Sequence, residues 1–198
     1  MYHFNTMRRI NFIIWLGLSV LVVAVPSRIP AATIYTTVLR GINEVPPNGS
    51  PATGATTVTL NGDLLSVGET FSGLTQAAAA AHIHCCVPPG ANAVVAVPFP
   101  GFPAATSGTY NQTFDLTLLS TYNGPFVTAN GGTAASAEAA LIAGLNAGLA
   151  YSNIHNGNFP GGEIRGQLQA IPEPTTAGLL LLGLTPFFAL ISKRAKHK

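Results

Sequence analysis

The chain has little charge and few of the residues that usually mark chemistry. Only 8% of its 198 residues are Asp, Glu, Lys or Arg. Between Thr33 and Ala170 there is no lysine. That span holds Arg40 and Arg165 against Glu44, Asp63, Glu69, Asp115, Glu138 and Glu163, a formal charge of −4. A nucleic-acid surface needs clustered Lys and Arg, so a nucleic-acid partner is not expected. Two cysteines in the whole chain exclude a multi-disulfide framework and an all-cysteine zinc site. A nucleophile elbow, a phosphate-binding loop and a dinucleotide fingerprint are all missing. The chain is therefore expected to be non-enzymatic, with no catalytic residues and no cofactor-binding motif.

Long apolar runs are confined to the two ends, and so is most of the positive charge. At the start, Arg8 and Arg9 precede the apolar stretch Ile10 to Val25, and Ala31-Ala32 follow as small residues. This is the layout of a secretory signal peptide over residues 1–32; an uncleaved N-terminal anchor is the competing reading. At the other end Pro172-Glu173-Pro174 precedes an apolar run, expected as a transmembrane helix over 175–192, and then Lys193, Arg194, Lys196 and Lys198. About 17 to 25 apolar residues span a bilayer core, and the cations stay on the cytoplasmic side.

The order of Pro-Glu-Pro, Leu/Gly-rich stretch (Gly178 to Leu184) and basic tail resembles the PEP-CTERM sorting signal of Gram-negative bacteria. The resemblance implies a transient membrane anchor, cleavage by an exosortase-type protease, and delivery to the cell surface or extracellular matrix. Partners there would be exopolysaccharide or other surface proteins. An ordinary tail anchor is the plainer alternative.

Residues 33–170 have the length of one domain. Short runs rich in Thr, Val and Ile between Gly/Pro-rich turns predict strands at Thr33–Arg40, Ala55–Leu60, Leu64–Phe71, Gln76–His84, Asn92–Val97, Gly108–Leu118, Ala150–Asn156 and Glu163–Ala170. Asn61-Gly62 reads as a hairpin turn. Ala137, Leu141, Leu145 and Leu149 recur every four residues, which predicts one short helix within Thr133–Leu149. Thr133 or Ser136 would cap it, and Glu138 would sit in its first turn. The fold expected is mainly all-β: an antiparallel β-sandwich of about eight strands with one short helix, flanked by N- and C-terminal hydrophobic helices.

Three histidines stand inside the domain. Period-two alternation puts His82 and His84 on one face of a strand, and His155 shares a face with Tyr151 and Asn153 on another. Three imidazoles suit copper or zinc, so His82, His84 and His155 form a candidate metal site. The alternative is a hydrogen-bonded polar network in which Glu163 or Arg165 approaches His155. Cys85-Cys86 follows directly. A vicinal disulfide, a pair of thiolate ligands beside the histidines and a reduced pair are all compatible with adjacent cysteines.

Four blocks in order, Gly41-Ile42-Asn43-Glu44-Val45-Pro46-Pro47, Ala81-His82-Ile83-His84, Asn153-Ile154-His155 and Phe159-Pro160-Gly161-Gly162-Glu163-Ile164-Arg165-Gly166-Gln167-Leu168, are similar to those of the CHRD domain. The family's usual Gly-Pro after the His-x-His is replaced here by Cys85-Cys86. The resemblance implies an extracellular module without established enzymatic activity.

Overall fold

The computed structural model describes residues 31–172. Residues 1–30 of the expected signal peptide, Glu173, Pro174, the expected helix 175–192 and the basic tail lie outside the described residues. Among the described residues no helix is long and apolar enough to cross a membrane.

Nine strands build the domain: β1 (Thr33–Arg40), β2 (Thr53–Asn61), β3 (Leu64–Ser72), β4 (Ala78–His84), β5 (Val95–Pro98), β6 (Gly108–Asp115), β7 (Tyr151–Asn156), β8 (Ile164–Gln167) and β9 (Gln169–Ala170). The expectation of a mainly antiparallel β domain holds. Instead of two separately paired sheets, one sheet runs in the order β5-β4-β7-β8-β1-β2-β3-β6, with β9 beside β1. It curls into a half-barrel. The path stays unbroken because β1 is paired on both sides, with β2 along its length and with β8 and β9 at Arg40, Tyr35 and Thr36. Leu168 marks the kink between β8 and β9, where its N–H turns to the Ala150 carbonyl. The curled sheet closes its apolar face on Tyr35, Leu39, Val58, Leu65, Ile83, Ile154, Ile164 and Leu168, all fully buried.

The β2–β3 turn falls one residue later than Asn-Gly pairing suggests. Asn61 pairs with Leu64, so Gly62 and Asp63 are the two turn residues, and Gly62 alone takes a positive φ, of 57°. A turn that needs the left-handed region only at its first central position places the glycine there.

Two helices form where one was expected. The first, α1 (Gly124–Ala129), is too short to show periodicity, but buries Phe126. The second, α2 (Ala134–Asn146), buries Ala137, Leu141 and Leu145 as the four-residue spacing predicts. Thr133 is its N-cap: the hydroxyl accepts from the Ser136 N–H at 3.1 Å, and Ser136 Oγ accepts from the Thr133 N–H at 3.2 Å. Glu138 lies past the first turn. The helix stops short of Leu149 because Gly148 takes φ 67°. There the Gly148 N–H bonds to the Leu145 carbonyl and the Leu149 N–H to that of Gly144, a Schellman ending that satisfies otherwise orphaned carbonyls.

Gly144 has a different reason to be glycine. Cys85 and Cys86 are disulfide-bonded to one another, and their sulfurs press on α2 at this residue. A Cβ on Gly144 would lie 2.5 Å from Cys86 Sγ and closer to Cys85 Sγ. Alanine is the better helix former by about 1 kcal/mol, yet overpacking costs about 1–3 kcal/mol. Gly144→Ala is therefore expected to destabilise the oxidised chain, measured as a lower urea midpoint. A midpoint at or above that of the native chain would show that the disulfide does not hold α2.

Candidate metal centre

Which face each histidine occupies is decided by its apolar neighbours. On β4, Ala81 and Ile83 enter the core, so His82 and His84 take the opposite face. On β7, Ile154 enters the core and Ser152 bonds inward to Glu69, which sends Tyr151, Asn153 and His155 to the face of the β4 histidines. Antiparallel pairing sets Asn153 opposite His82, Tyr151 opposite His84 and Ala80 opposite His155. His155 therefore reaches His82 on the diagonal.

The three rings meet. Centroids lie 5.5 Å apart for His82 and His84, 5.1 Å for His82 and His155, and 5.8 Å for His84 and His155. One ring nitrogen from each comes within 4.8 Å of the others. A point within about 2.8 Å of all three exists in such a triangle, against the 2.0–2.1 Å of a metal–imidazole bond. His82 Nδ1, His84 Nε2 and His155 Nε2 are buried and have no hydrogen-bond partner among the described residues.

The outward nitrogens of two rings fix the inward ones. His84 Nδ1 lies 2.9 Å from the Ala93 carbonyl and His155 Nδ1 lies 3.0 Å from that of Pro160. A carbonyl only accepts, so each Nδ1 donates, and each Nε2 keeps a free lone pair. This is how a protein orients imidazole ligands from behind. Burial, followed by the repulsion of His155 and His84, pushes His82 down to about 4. Burial likewise dominates in taking His84 down to about 4 and lowering His155. All three imidazoles are neutral at pH 7, the form in which histidine binds metal.

Tyr151 stacks on His84, with centroids 4.8 Å apart and planes 3° from parallel. Its hydroxyl accepts from the Ala93 N–H at 3.1 Å, so Ala93 grips both rings through its backbone. Arg165 lies over Tyr151, with Cζ 4.7 Å from the ring centroid. Its Nε donates to the Asn43 carbonyl at 2.8 Å and lies 3.4 Å from Glu44 Oε2; its Nη1 donates to Asn92 Oδ1 at 3.0 Å. Glu44 Oε1 accepts from Asn153 Nδ2 at 2.6 Å. Burial raises the Glu44 carboxyl to about 7, against the pull of Arg165 and Asn153.

The expected network of Glu163 and Arg165 divides in two. Arg165 joins the histidine face, while Glu163 turns away to Asn156, Ser50 and the Thr75 N–H. Strand pairing begins at Ile164, so Glu163 precedes the regular alternation that would have set it beside Arg165. Neither residue hydrogen-bonds a histidine in the structure. The cysteines do not join the histidines either. Cys85 is buried at 2% exposure, one step along the strand from His84, and its sulfur faces α2. Sequence reasoning assigned no role to Glu44, Tyr151 or Asn153. The last two share the predicted face of His155, which was signal enough; Glu44 reaches the site only through the fold. The Ala93 grip is made by backbone atoms and leaves no trace in residue type.

The histidines and the carboxyls pull stability in opposite directions with pH. His82 and His84 fall from 6.5 to about 4 on folding. Between these values the unfolded chain binds more protons, so their contribution is complete above about 6.5 and lost as pH falls through about 4. Glu44 rises from 4.5 to about 7, and buried Glu69 also rises; their contribution is complete at low pH and is lost as pH climbs through the raised value. The histidine contribution of the metal-free chain is expected to be lost from about pH 6.5 towards 4, read as the urea midpoint against pH in the native chain and its variants. Glu44→Gln should steepen that loss and His82→Gln should flatten it.

A model of the CHRD domain matches residues 35–168. No curated protein and no solved structure matches the chain. The matched span runs from the first core tyrosine of β1 to the kink after β8, so it takes in all three histidines and every strand of the curled sheet but β9 and the first two residues of β1. The chain belongs to the CHRD domain family.

Proposed function

We propose that this protein is an exported, non-enzymatic surface or matrix module whose CHRD domain holds one transition-metal ion, copper or zinc, on His82, His84 and His155. The metal rests on two observations: a ring nitrogen of each histidine lies within 4.8 Å of one on the others, and each ring has one buried nitrogen with no partner among the described residues. Leaving a buried polar atom unsatisfied costs about 1–3 kcal/mol, and one ion would satisfy all three. The competing hydrogen-bonded network is not formed: Arg165 donates to Asn43, Ala91 and Asn92 and keeps Nη2 unpartnered, Glu163 accepts from Asn156 and Ser50, and neither bonds a histidine.

Elemental analysis of the purified full-length chain after reconstitution should find about one equivalent of copper or zinc. His84→Ala and His155→Ala should each lose it while keeping the far-ultraviolet circular dichroism of the native chain. Less than a tenth of an equivalent in the native chain rejects the site.

Export and sorting rest on the two ends of the sequence and on the extracellular type of the domain. In this reading the chain is anchored in the inner membrane, cleaved near Pro172-Glu173-Pro174 by an exosortase-type protease, and released to the surface of a Gram-negative cell. Replacing those three residues by alanine should leave a longer, membrane-retained form on immunoblots of cell fractions. Unchanged size and release would reject the sorting signal.

A further inference from the structure

The histidine site brings no negative charge to an ion. Among the described residues its three ligands are joined by no carboxylate or thiolate, and the atoms behind two of them are the neutral carbonyls of Ala93 and Pro160. β7 lies between β4 and β8, so Tyr151 stands between His84 and the guanidinium of Arg165. The one carboxylate on this side, Glu44, is committed to that arginine and to Asn153. Arg165 and Glu44 together offer at most a neutral pair. The rings are partly removed from water: His84 is 8% exposed, and His82 and His155 are half-buried.

The cost of placing an ion in a poorly solvated site grows steeply with its charge. A divalent ion on three neutral imidazoles keeps its full double charge unless it recruits an anion as a fourth ligand. A monovalent ion carries half the charge, and three neutral nitrogens can complete its coordination. Building on the metal reading above, we propose that the site is selective for monovalent copper over divalent zinc, with Arg165 the residue that sets this preference from behind Tyr151. Cu(I) and Zn(II) are both closed-shell ions without a ligand-field preference of their own. Charge and softness are what separate them, and imidazole accepts both. Arg165 acts through its charge and touches no ligand, so its role is positioning and tuning.

The test is a pair of competition titrations on the purified full-length chain: Cu(I) against bicinchoninate without oxygen, and Zn(II) against a chromophoric zinc chelator. Cu(I) is expected to bind at least about a hundredfold more tightly than Zn(II). Ag(I), a redox-inert monovalent probe, should also displace bound Zn(II). Zinc binding as tightly as Cu(I) would overturn the selectivity while leaving the metal site standing. Failure of every ion to bind would overturn the site itself. Arg165→Gln removes a positive charge from behind Tyr151, so the Cu(I)-to-Zn(II) ratio should fall by about tenfold. Arg165→Lys should keep it. A merely structural arginine would weaken both ions together and leave the ratio unmoved, and that result would also overturn its assigned role. If Arg165→Gln fails to fold, the ratio in the native chain and the Ag(I) displacement still decide the selectivity.

Discussion

Everything at the site depends on the two-faced character of β4 and β7. Ile83 and Ile154 are fully buried on the core side, and a strand cannot turn two successive side chains the same way. Burying the isoleucines therefore presents His82, His84 and His155 on the other face, in the one register where their rings meet. A slip of one residue would exchange the faces, putting imidazoles into the hydrocarbon core and isoleucines into the site. The core enforces the geometry of the polar cluster. The hydrophobic effect thereby positions the three imidazoles, although none of them is apolar.

Three loops meet the other face of the same sheet. The 41–50 segment holds Arg165 and Asn153, while the stretch after Cys86 and the 157–162 loop supply carbonyls to His84 and His155. Ala93 holds His84 and Tyr151 at once. Asn43 exchanges hydrogen bonds with Arg165 through both its amide and its carbonyl. Asn48 donates to the Gly162 and Glu163 carbonyls, tying the first segment to the hairpin. These contacts restrict the rings, which leaves them little conformational freedom. The buried imidazoles stay neutral for the same reason: taking them from water penalises the charged form most.

The disulfide belongs to the scaffold. It lies one residue from His84, but the sulfurs face α2 and meet it at a glycine. The helix, the paired cysteines and the loop leading to Ala93 form one packed unit on the flank of the site. Helix α2 is thereby more than a cover for the open side of the half-barrel. Its register along the sheet is tied to the place where β4 ends.

Strand spacing, the four-residue repeat of α2 and the alternation around each histidine are short-range properties. The sequence therefore determined the mainly antiparallel β class, the buried face of α2 and the three histidines as a set. It also carried the four blocks that mark the family. What it left open needed distances across the sheet. Alternation gives the face of a side chain but not its partner strand, so the diagonal approach of His155 to His82 appears only once β4 pairs with β7. A single curled sheet in place of two sheets depends on β1 pairing on both sides, which local pattern does not encode. Glu163 and Arg165 looked like neighbours because alternation was extended one residue past the point where pairing begins. Only tertiary structure separated them, since a residue outside the ladder is oriented by whatever polar groups the fold brings to it.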